Sequence, residues 1–566
     1  MAKFTVKQIP TLFSASLGLA ELAKLKYYCK RADKTQEKLL LSLMKDNKSC
    51  VYGKANNFGK VKSVDDYQSI VPLSTYADYE EYVWRMANGE KGLITNRLIR
   101  RFTESSGSTG RSKLVPLSGR AEWVCQCFGF SAPVGCAFKY FKGQGRLIPP
   151  QRGMNTAEIG SRKLPGGKRV SCISSIPLLN LRPFIPIFNT TPAEVMYHNE
   201  PVDMDMHYAK LRFALPDKSV SYLTTIFITT LESMFFYLEN NWEMLCDDIE
   251  KGTIDSSVKM PDETRKKLLK KLKPDPKRAE ELRVEFRKGF DVSPIVPRIW
   301  PNCEWMFGIG TGSLSLYAKK LRRYLGDEIA MHYLGYAATE SLMAVPIEFN
   351  SFEYVILPQN AFFEFLPLDA PEGTKPLKIG ELEVGKEYEL ILTNTSGFYR
   401  YRIEDVVKVT GYYYGSPKIT FCYRLNQIAN ISGEKINQMA LDEIVDNFAN
   451  EIDELLIGYS IYADRSTSPG HYVLLIETSG EHSKDEEKHL AQVFEKALCN
   501  GNVSVAPMIA SGALGHCEVK LLKKGSYDEY RQMLADGGAN LNQIKPVKSI
   551  DTEKKKEFFF SRIIEE

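Results

Sequence analysis

Several features that would assign this sequence quickly are missing. No uninterrupted apolar run reaches about eighteen residues, so no membrane span is expected. No charge dominates: 74 Lys+Arg stand against 70 Asp+Glu, and a net +4 is too even to imply nucleic acid or an acidic membrane surface as the main partner. The eleven cysteines are scattered, only Cys125 and Cys127 lie close together, and no paired CxxC units show zinc-like spacing. They read as reduced thiols of a cytoplasmic protein. The seven histidines form no HExxH pair, and there is no GxSxG elbow, which removes zincin-type proteases and serine hydrolases. Neither a Walker A ending nor a GxGxxG fingerprint occurs, and there are no internal repeats or low-complexity segments.

What is present is a chain of 566 residues with 43% hydrophobic, 25% charged and 11% aromatic residues, a composition that folds and a length that calls for more than one domain. Residues 1 to about 95 have helical patterning, beginning with an apolar patch at Ile9–Phe13 that Glu21, Lys24 and Lys26 soon interrupt. That pattern predicts a docked amphipathic helix. From Leu98 onward, strand-like segments (Leu98–Phe102, Tyr222–Ile228, Tyr354–Leu357) alternate with helical ones such as Arg120–Phe130, which predicts an α/β architecture with helix-covered sheets. Residues 262 to 288 carry eleven basic and six acidic side chains around Pro274 and Pro276, the pattern of two solvated helices joined by a turn. Segments from 380 to 424 are β-rich, and a compact mixed unit restarts after Arg424. Trp123, Phe128 and Phe130 suit core packing or the lining of an apolar pocket.

Three constellations carry chemistry. The first is Thr103-Glu104-Ser105-Ser106-Gly107-Ser108-Thr109-Gly110-Arg111-Ser112-Lys113. Glycines let backbone approach an anion, successive N–H groups and hydroxyls donate to phosphate oxygens, and Lys113 adds a mobile cation. The second is Tyr336-Ala337-Ala338-Thr339-Glu340 after a strand-like Ala330–Leu334, where a hydroxyl beside a carboxylate can hold a phosphate oxygen and Mg²⁺ together. Upstream, Gly308–Ser313, with Gly310 at its centre, allows close approach to a flat ring or serves a packed turn. The third is Gly397–Val407, in which strand alternation would place Tyr399, Tyr401 and Ile403 on one face and Arg400, Arg402 and Glu404 on the other. Asp405 at its end can accept both hydroxyls of a ribose, and the arginines fit either a site or a salt-bridged structural strand.

In this order the pieces resemble the adenylate-forming superfamily, and specifically the Gretchen Hagen family of acyl-acid amido synthetases. The resemblance spans nearly the whole chain. It also takes in Ile299-Trp300-Pro301-Asn302, Phe362-Phe363-Glu364-Phe365, the segment from Arg424 to Gly433-Glu434-Lys435, and Asn542-Gln543-Ile544-Lys545. The wording of Tyr336–Glu340 looks closer to a microbial, non-plant branch than to the plant hormone conjugases. The resemblance implies that Ser105 to Gly110 bind ATP phosphates, Thr339 the α-phosphate, Glu340 the Mg²⁺ ion, and Asp405 with Arg424 the ribose. It also implies that Lys435 and Lys545 approach the nucleotide phosphate, with Lys548 competing for the role of Lys545. Glu404 stands where family members usually have glycine.

The resulting expectation is a large α/β domain over 1–424 that binds ATP and the acyl acid, and a small, mobile α+β domain over 425–566 that carries the late lysines, with the active site between them. The implied reaction activates a carboxylic acid as an acyl adenylate and passes the acyl group to an amine, an amino acid by the resemblance, releasing pyrophosphate and AMP. A CoA ligase would share the first step and differ in the acceptor. A nucleotide-binding protein without catalysis would show neither turnover.

Overall fold

The computed structural model describes residues 8–104, 113–150, 152–179, 181–198, 204–310, 315–368, 370–371, 373–425, 431, 436, 438–467, 469–480, 482–502, 505–510, 514–539, 541 and 544–564. The chain forms two compact units. The first comprises Met1–Gly310, Tyr317–Ile403 and Val407–Thr420, and the second Thr311–Leu316, Glu404–Val406 and Phe421–Glu566.

The first unit opens with the docked helix that the sequence predicts. Helix Ile9–Cys29 buries Leu22, Leu25 and Cys29, while Lys24 and Lys26 point outward. It crosses helix Ala132–Gly143 backbone to backbone. A Cβ on Gly18 would lie 2.0 Å from the Ser131 carbonyl oxygen, and one on Gly135 would lie 2.7 Å from the Gly18 carbonyl carbon. Further helices follow at Ala32–Asn47, Val64–Ile70 and Glu80–Ala87. The Val64–Ile70 helix starts on a capping box in which Ser63 Oγ accepts from the Asp66 N–H and the Asp66 carboxylate accepts from the Ser63 N–H, both at 3.0 Å.

Three larger sheets follow. Leu114–Ser118, Ile99–Glu104, Arg169–Ser171 and Arg162–Lys163 lie side by side in that order in a mixed sheet. Ala330–Tyr333, Trp305–Ile309, Tyr222–Phe227 and Gly153–Asn155 form a wholly parallel sheet. Parallel strands need cover on both faces, and these four are buried along almost their whole length. The seven-stranded sheet runs Tyr336–Ala338, Ser341–Val345, Tyr354–Ile356, Ser416–Arg424, Tyr401–Tyr413, Glu387–Asn394, Ala361–Pro367. The sheet joins the N-terminal helices in one core cluster, through Leu40, Leu43, Tyr67, Phe362, Phe363 and Leu392 among others.

In the second unit, Leu456–Asp464, His471–Thr478 and Glu518–Leu521 form a three-stranded sheet, antiparallel and then parallel. Strand alternation serves two helical layers. Tyr472, Leu474 and Ile476 pack under helices Gln438–Glu451 and Glu487–Gly501, while Val473 and Leu475 pack with Tyr530 and Phe559 of helices Ser526–Asp536 and Glu553–Phe560. The expected α/β and α+β architecture is thus present.

The basic stretch forms helices Asp262–Leu269 and Pro276–Arg287, as the proline spacing predicts. Part of its charge is internal: Arg278 is buried and donates to the carbonyls of Leu215 and Ile299, and Arg283 pairs with Asp247 and Glu250. Phe128 is buried, whereas Trp123, expected in a core or pocket, is 62% exposed. All eleven cysteines are free thiols, and burial pushes those of Cys125 and Cys136 up to about 12, which makes them inert as nucleophiles at neutral pH. Among the described residues, no helix is long and apolar enough to cross a membrane.

The expected alternation over Gly397–Val407 fails at its start. Gly397 has φ +117° and Arg400 φ +47°, so the chain turns before the strand Tyr401–Tyr413 begins. Arg400 is buried with Glu364, which is 0% exposed, at 3.0 to 3.2 Å, and its Nη1 donates to the carbonyls of Gln68 and Val71 at 2.8 Å. The Gln68 amide adds a 2.9 Å bond to Glu364. Arg400 is therefore a structural strut, which settles one arginine of that motif, and Arg402 pairs with Glu389 at 2.7 Å. Removing one charge of a buried pair leaves the other uncompensated, a loss of about 3–5 kcal/mol. Glu364→Gln, which keeps the side-chain shape, should lower the urea midpoint of unfolding by a corresponding amount; a midpoint unchanged from the parent would show that the pair is dispensable.

Candidate active site

The Ser/Gly/Thr loop itself, residues 105–112, lies outside the described residues, as does Lys435, but both flanks of the loop are visible. Strands Ile99–Glu104 and Leu114–Ser118 run antiparallel, with Glu104 opposite Leu114, so they hold the two ends of the loop together. Glu104 is paired to Arg162 at 2.8 Å. At the exit, the Tyr76 hydroxyl donates to the Leu114 carbonyl at 3.0 Å and accepts from the Leu114 N–H at 3.1 Å. Burial, helped by the charges of Glu80 and Glu340, pushes the Tyr76 phenol up to about 12, so it remains a donor at neutral pH. Lys113 stands 5.4 Å above the Tyr76 ring.

The second constellation meets the first. Ala338 pairs with Ser341 across an antiparallel ladder, leaving Thr339 and Glu340 as a two-residue turn. Thr103, 0% exposed, donates from Oγ1 to the Thr339 carbonyl at 3.0 Å and to the Val115 carbonyl at 3.2 Å. The last inward residue before the loop therefore grips the turn directly. Glu340 is held at two points: Asn394 Nδ2 donates to its carbonyl at 2.9 Å, and the Tyr401 hydroxyl donates to Oε1 at 3.0 Å. Tyr336 and Ala338 pack against the main core cluster.

Glycines 308 and 310 have neighbours of their own. A Cβ on Gly308 would come within 2.6 Å of Thr225 Cγ2, and one on Gly310 within 2.9 Å of the Tyr333 ring, so close packing accounts for both positions. Residues 311–314 lie outside the described residues.

In the second unit, Asp405 is 3% exposed and accepts from Arg424 Nε at 2.7 Å, which brings together the two residues that the resemblance implies for a ribose. Glu404 has φ +64°, the left-handed geometry in which glycine is favoured. Lys545 is held below the ordinary lysine range, by desolvation first and then by the like charge of Arg424, with Asp405 opposing. Lys548 differs. It is 8% exposed, sits 3.5 Å over the Tyr459 ring and pairs with Asp442 at 3.6 Å.

The donors suit a hard cation shared with a nucleotide. Among the described residues, no group of three or more His, Cys, Asp or Glu side chains could hold a metal ion alone. The Glu340 carboxylate beside the Thr339 hydroxyl offers oxygen donors for Mg²⁺, which usually takes one or two carboxylates and completes its shell with phosphates and water. Thr103, Asn394 and Tyr401, which position these groups, carry no local sequence signal for that role, because their partners lie far away in the chain.

Three sequence models match in chain order: the GH3 family N-terminal domain over residues 21–330, the GH3 family central domain over 354–424 and the GH3 family C-terminal domain over 439–554. Indole-3-acetic acid-amido synthetase GH3.10 of Arabidopsis thaliana is 27% identical over 519 residues, covering 86% of this chain and 87% of that protein. Jasmonoyl–L-amino acid synthetase GH3.5 of Oryza sativa subsp. japonica is 27% identical and covers 93% of each chain. The solved structure of GH3.15 acyl acid amido synthetase superposes with a TM-score of 0.82 at 23% identity, over 97% of this chain and 96% of that one. These relatives give no support to a closer tie with a microbial branch. Since the N-terminal family model alone spans more than half of the sequence, this chain belongs to the GH3 family.

Proposed function

We propose that the chain is an ATP-dependent acyl-acid amido synthetase that joins a carboxylic acid to an amino acid. The observation that carries this reading is the 3.0 Å bond from Thr103 to the Thr339 carbonyl, which locks the phosphate-loop strand to the turn that offers a hydroxyl and a carboxylate. Family membership and the names of the relatives, each pairing an acid with amide synthesis, support the substrate classes.

In this reading a substrate carboxylate oxygen attacks the α-phosphorus of ATP. The bond to the bridging oxygen breaks, pyrophosphate leaves and an acyl adenylate remains. A neutral amine then attacks the acyl carbon, loses a proton to solvent and expels AMP. Lys113 and the loop donors 105–110 counter phosphate charge, Thr339 donates to the α-phosphate, and Glu340 holds Mg²⁺, which when bound neutralises charge on the phosphates. Residues 1–424 bind ATP and the acid. Residues 425–566 form a mobile domain that brings Lys435 and Lys545, while Asp405 and Arg424 hold the ribose. The work is positioning and charge stabilisation, and it asks for no enzyme nucleophile.

Three measurements test the assignments. Glu340→Gln should cut pyrophosphate exchange by about a hundredfold or more while leaving the fold intact; near-normal exchange removes Glu340 from the metal. Asp405→Ala should raise the ATP requirement and narrow the preference for ATP over deoxy-ATP, since a buried acceptor for the sugar hydroxyls is lost. Unaltered discrimination would leave Asp405 only its bond to Arg424. Lys545→Ala should depress adenylation while sparing amide formation from supplied acyl adenylate, whereas Lys548→Ala should chiefly lower thermal stability. The reverse pattern would hand the late-lysine role to Lys548.

A further inference from the structure

Asn394 is 3% exposed and both ends of its amide are engaged. Its Oδ1 accepts from three successive N–H groups, those of Ser396, Gly397 and Phe398, at 2.9, 3.0 and 3.1 Å. Its Nδ2 donates in the opposite direction, to the Glu340 carbonyl at 2.9 Å. The Thr395–Phe398 turn shaped by the first set leads through Arg400 to Tyr401, whose ring packs 5.0 Å from Phe398 and whose hydroxyl donates to Glu340 Oε1 at 3.0 Å. One amide thus reaches Glu340 twice, once at its backbone and once through the residue that orients its carboxylate.

We propose that Asn394 is a positioning residue that fixes the Glu340 carboxylate for the divalent cation, directly through Nδ2 and indirectly by setting the turn that delivers Tyr401. This deepens the reading in which Glu340 holds Mg²⁺ and rests on it. The same four N–H and C=O groups explain why a simple turn former would not serve. An ionised aspartate can accept from the three N–H groups but has no proton to donate, whereas the amide also donates toward Glu340.

The test uses the full-length protein with Mn²⁺ as a spectroscopic probe. Free and bound Mn²⁺ are measured by electron paramagnetic resonance in the presence of a non-hydrolysable ATP analogue, and thermal midpoints are recorded without metal or nucleotide. Asn394→Asp keeps the acceptor and loses the donor; Tyr401→Phe loses only the hydroxyl. Each should weaken Mn²⁺ binding by about tenfold to a hundredfold, the usual effect of removing an outer partner of a metal ligand. In a Glu340→Gln background, Asn394→Asp should add little further loss, because its effect passes through Glu340. Unchanged Mn²⁺ affinity in folded Asn394→Asp overturns the proposal. If that variant does not fold, unchanged affinity in Tyr401→Phe overturns it instead. If Glu340→Gln alone leaves Mn²⁺ binding intact, the metal assignment of Glu340 fails, a result distinct from failure of the positioning role.

Discussion

The pairing of Arg400 with Glu364 inside the first unit constrains what surrounds it. Glu364 stands on an edge strand of the seven-stranded sheet, Arg400 on the turn that enters a neighbouring part of that sheet, and the carbonyls of Gln68 and Val71 close the Val64–Ile70 helix against both. A buried charge pair persists only when its polar groups are met, and here, besides their bonds to each other, the two side chains meet the carbonyls of Gln68 and Val71 and the Gln68 amide. To satisfy Glu364, Arg400 adopts a left-handed backbone, and that reversal starts the strand at Tyr401 with its hydroxyl aimed at Glu340. A structural requirement in the core thereby sets the direction of a group at the candidate site.

The same economy recurs at the Thr339–Glu340 turn. Two-residue turns are flexible unless something holds them, and a carboxylate that must meet a cation is useful only in one orientation. Thr103, Asn394 and Tyr401 hold this turn from three separate strand segments of the first unit. Thr103 lies at the end of the strand that enters the Ser/Gly/Thr segment, so the strand and the Thr339–Glu340 turn are tied through one hydroxyl.

Local pattern revealed a good deal of this molecule. The strand Tyr222–Phe227, the helix pair on either side of Pro274 and the alternating strands of the second unit follow from periodicity and proline placement. Lys113, Thr339, Glu340 and Asp405 stand out in the sequence as candidates because few residue types suit phosphate, cation and ribose. The holding residues were not legible, since Thr103 and Thr339 lie 236 positions apart and nothing in either segment announces the other. The left-handed turn at Arg400 was hidden for a related reason: a non-glycine residue takes that conformation only when tertiary contacts impose it.

Glu404 shows how far the family pattern can bend. The resemblance leads one to expect glycine before Asp405, and the backbone at Glu404 has the positive φ that glycine would adopt at least cost. An L-residue in that region costs roughly 1–2 kcal/mol, so the conformation must be imposed by its surroundings rather than by the residue itself. Val406, Cys422 and Tyr423 are buried together beside it, and Asp405 is fixed to Arg424 by a 2.7 Å bond. These contacts specify the path of the chain on both sides of Glu404. The left-handed geometry at Glu404 is therefore held by its neighbours rather than by the residue, and it leaves the Asp405 carboxylate bonded to Arg424.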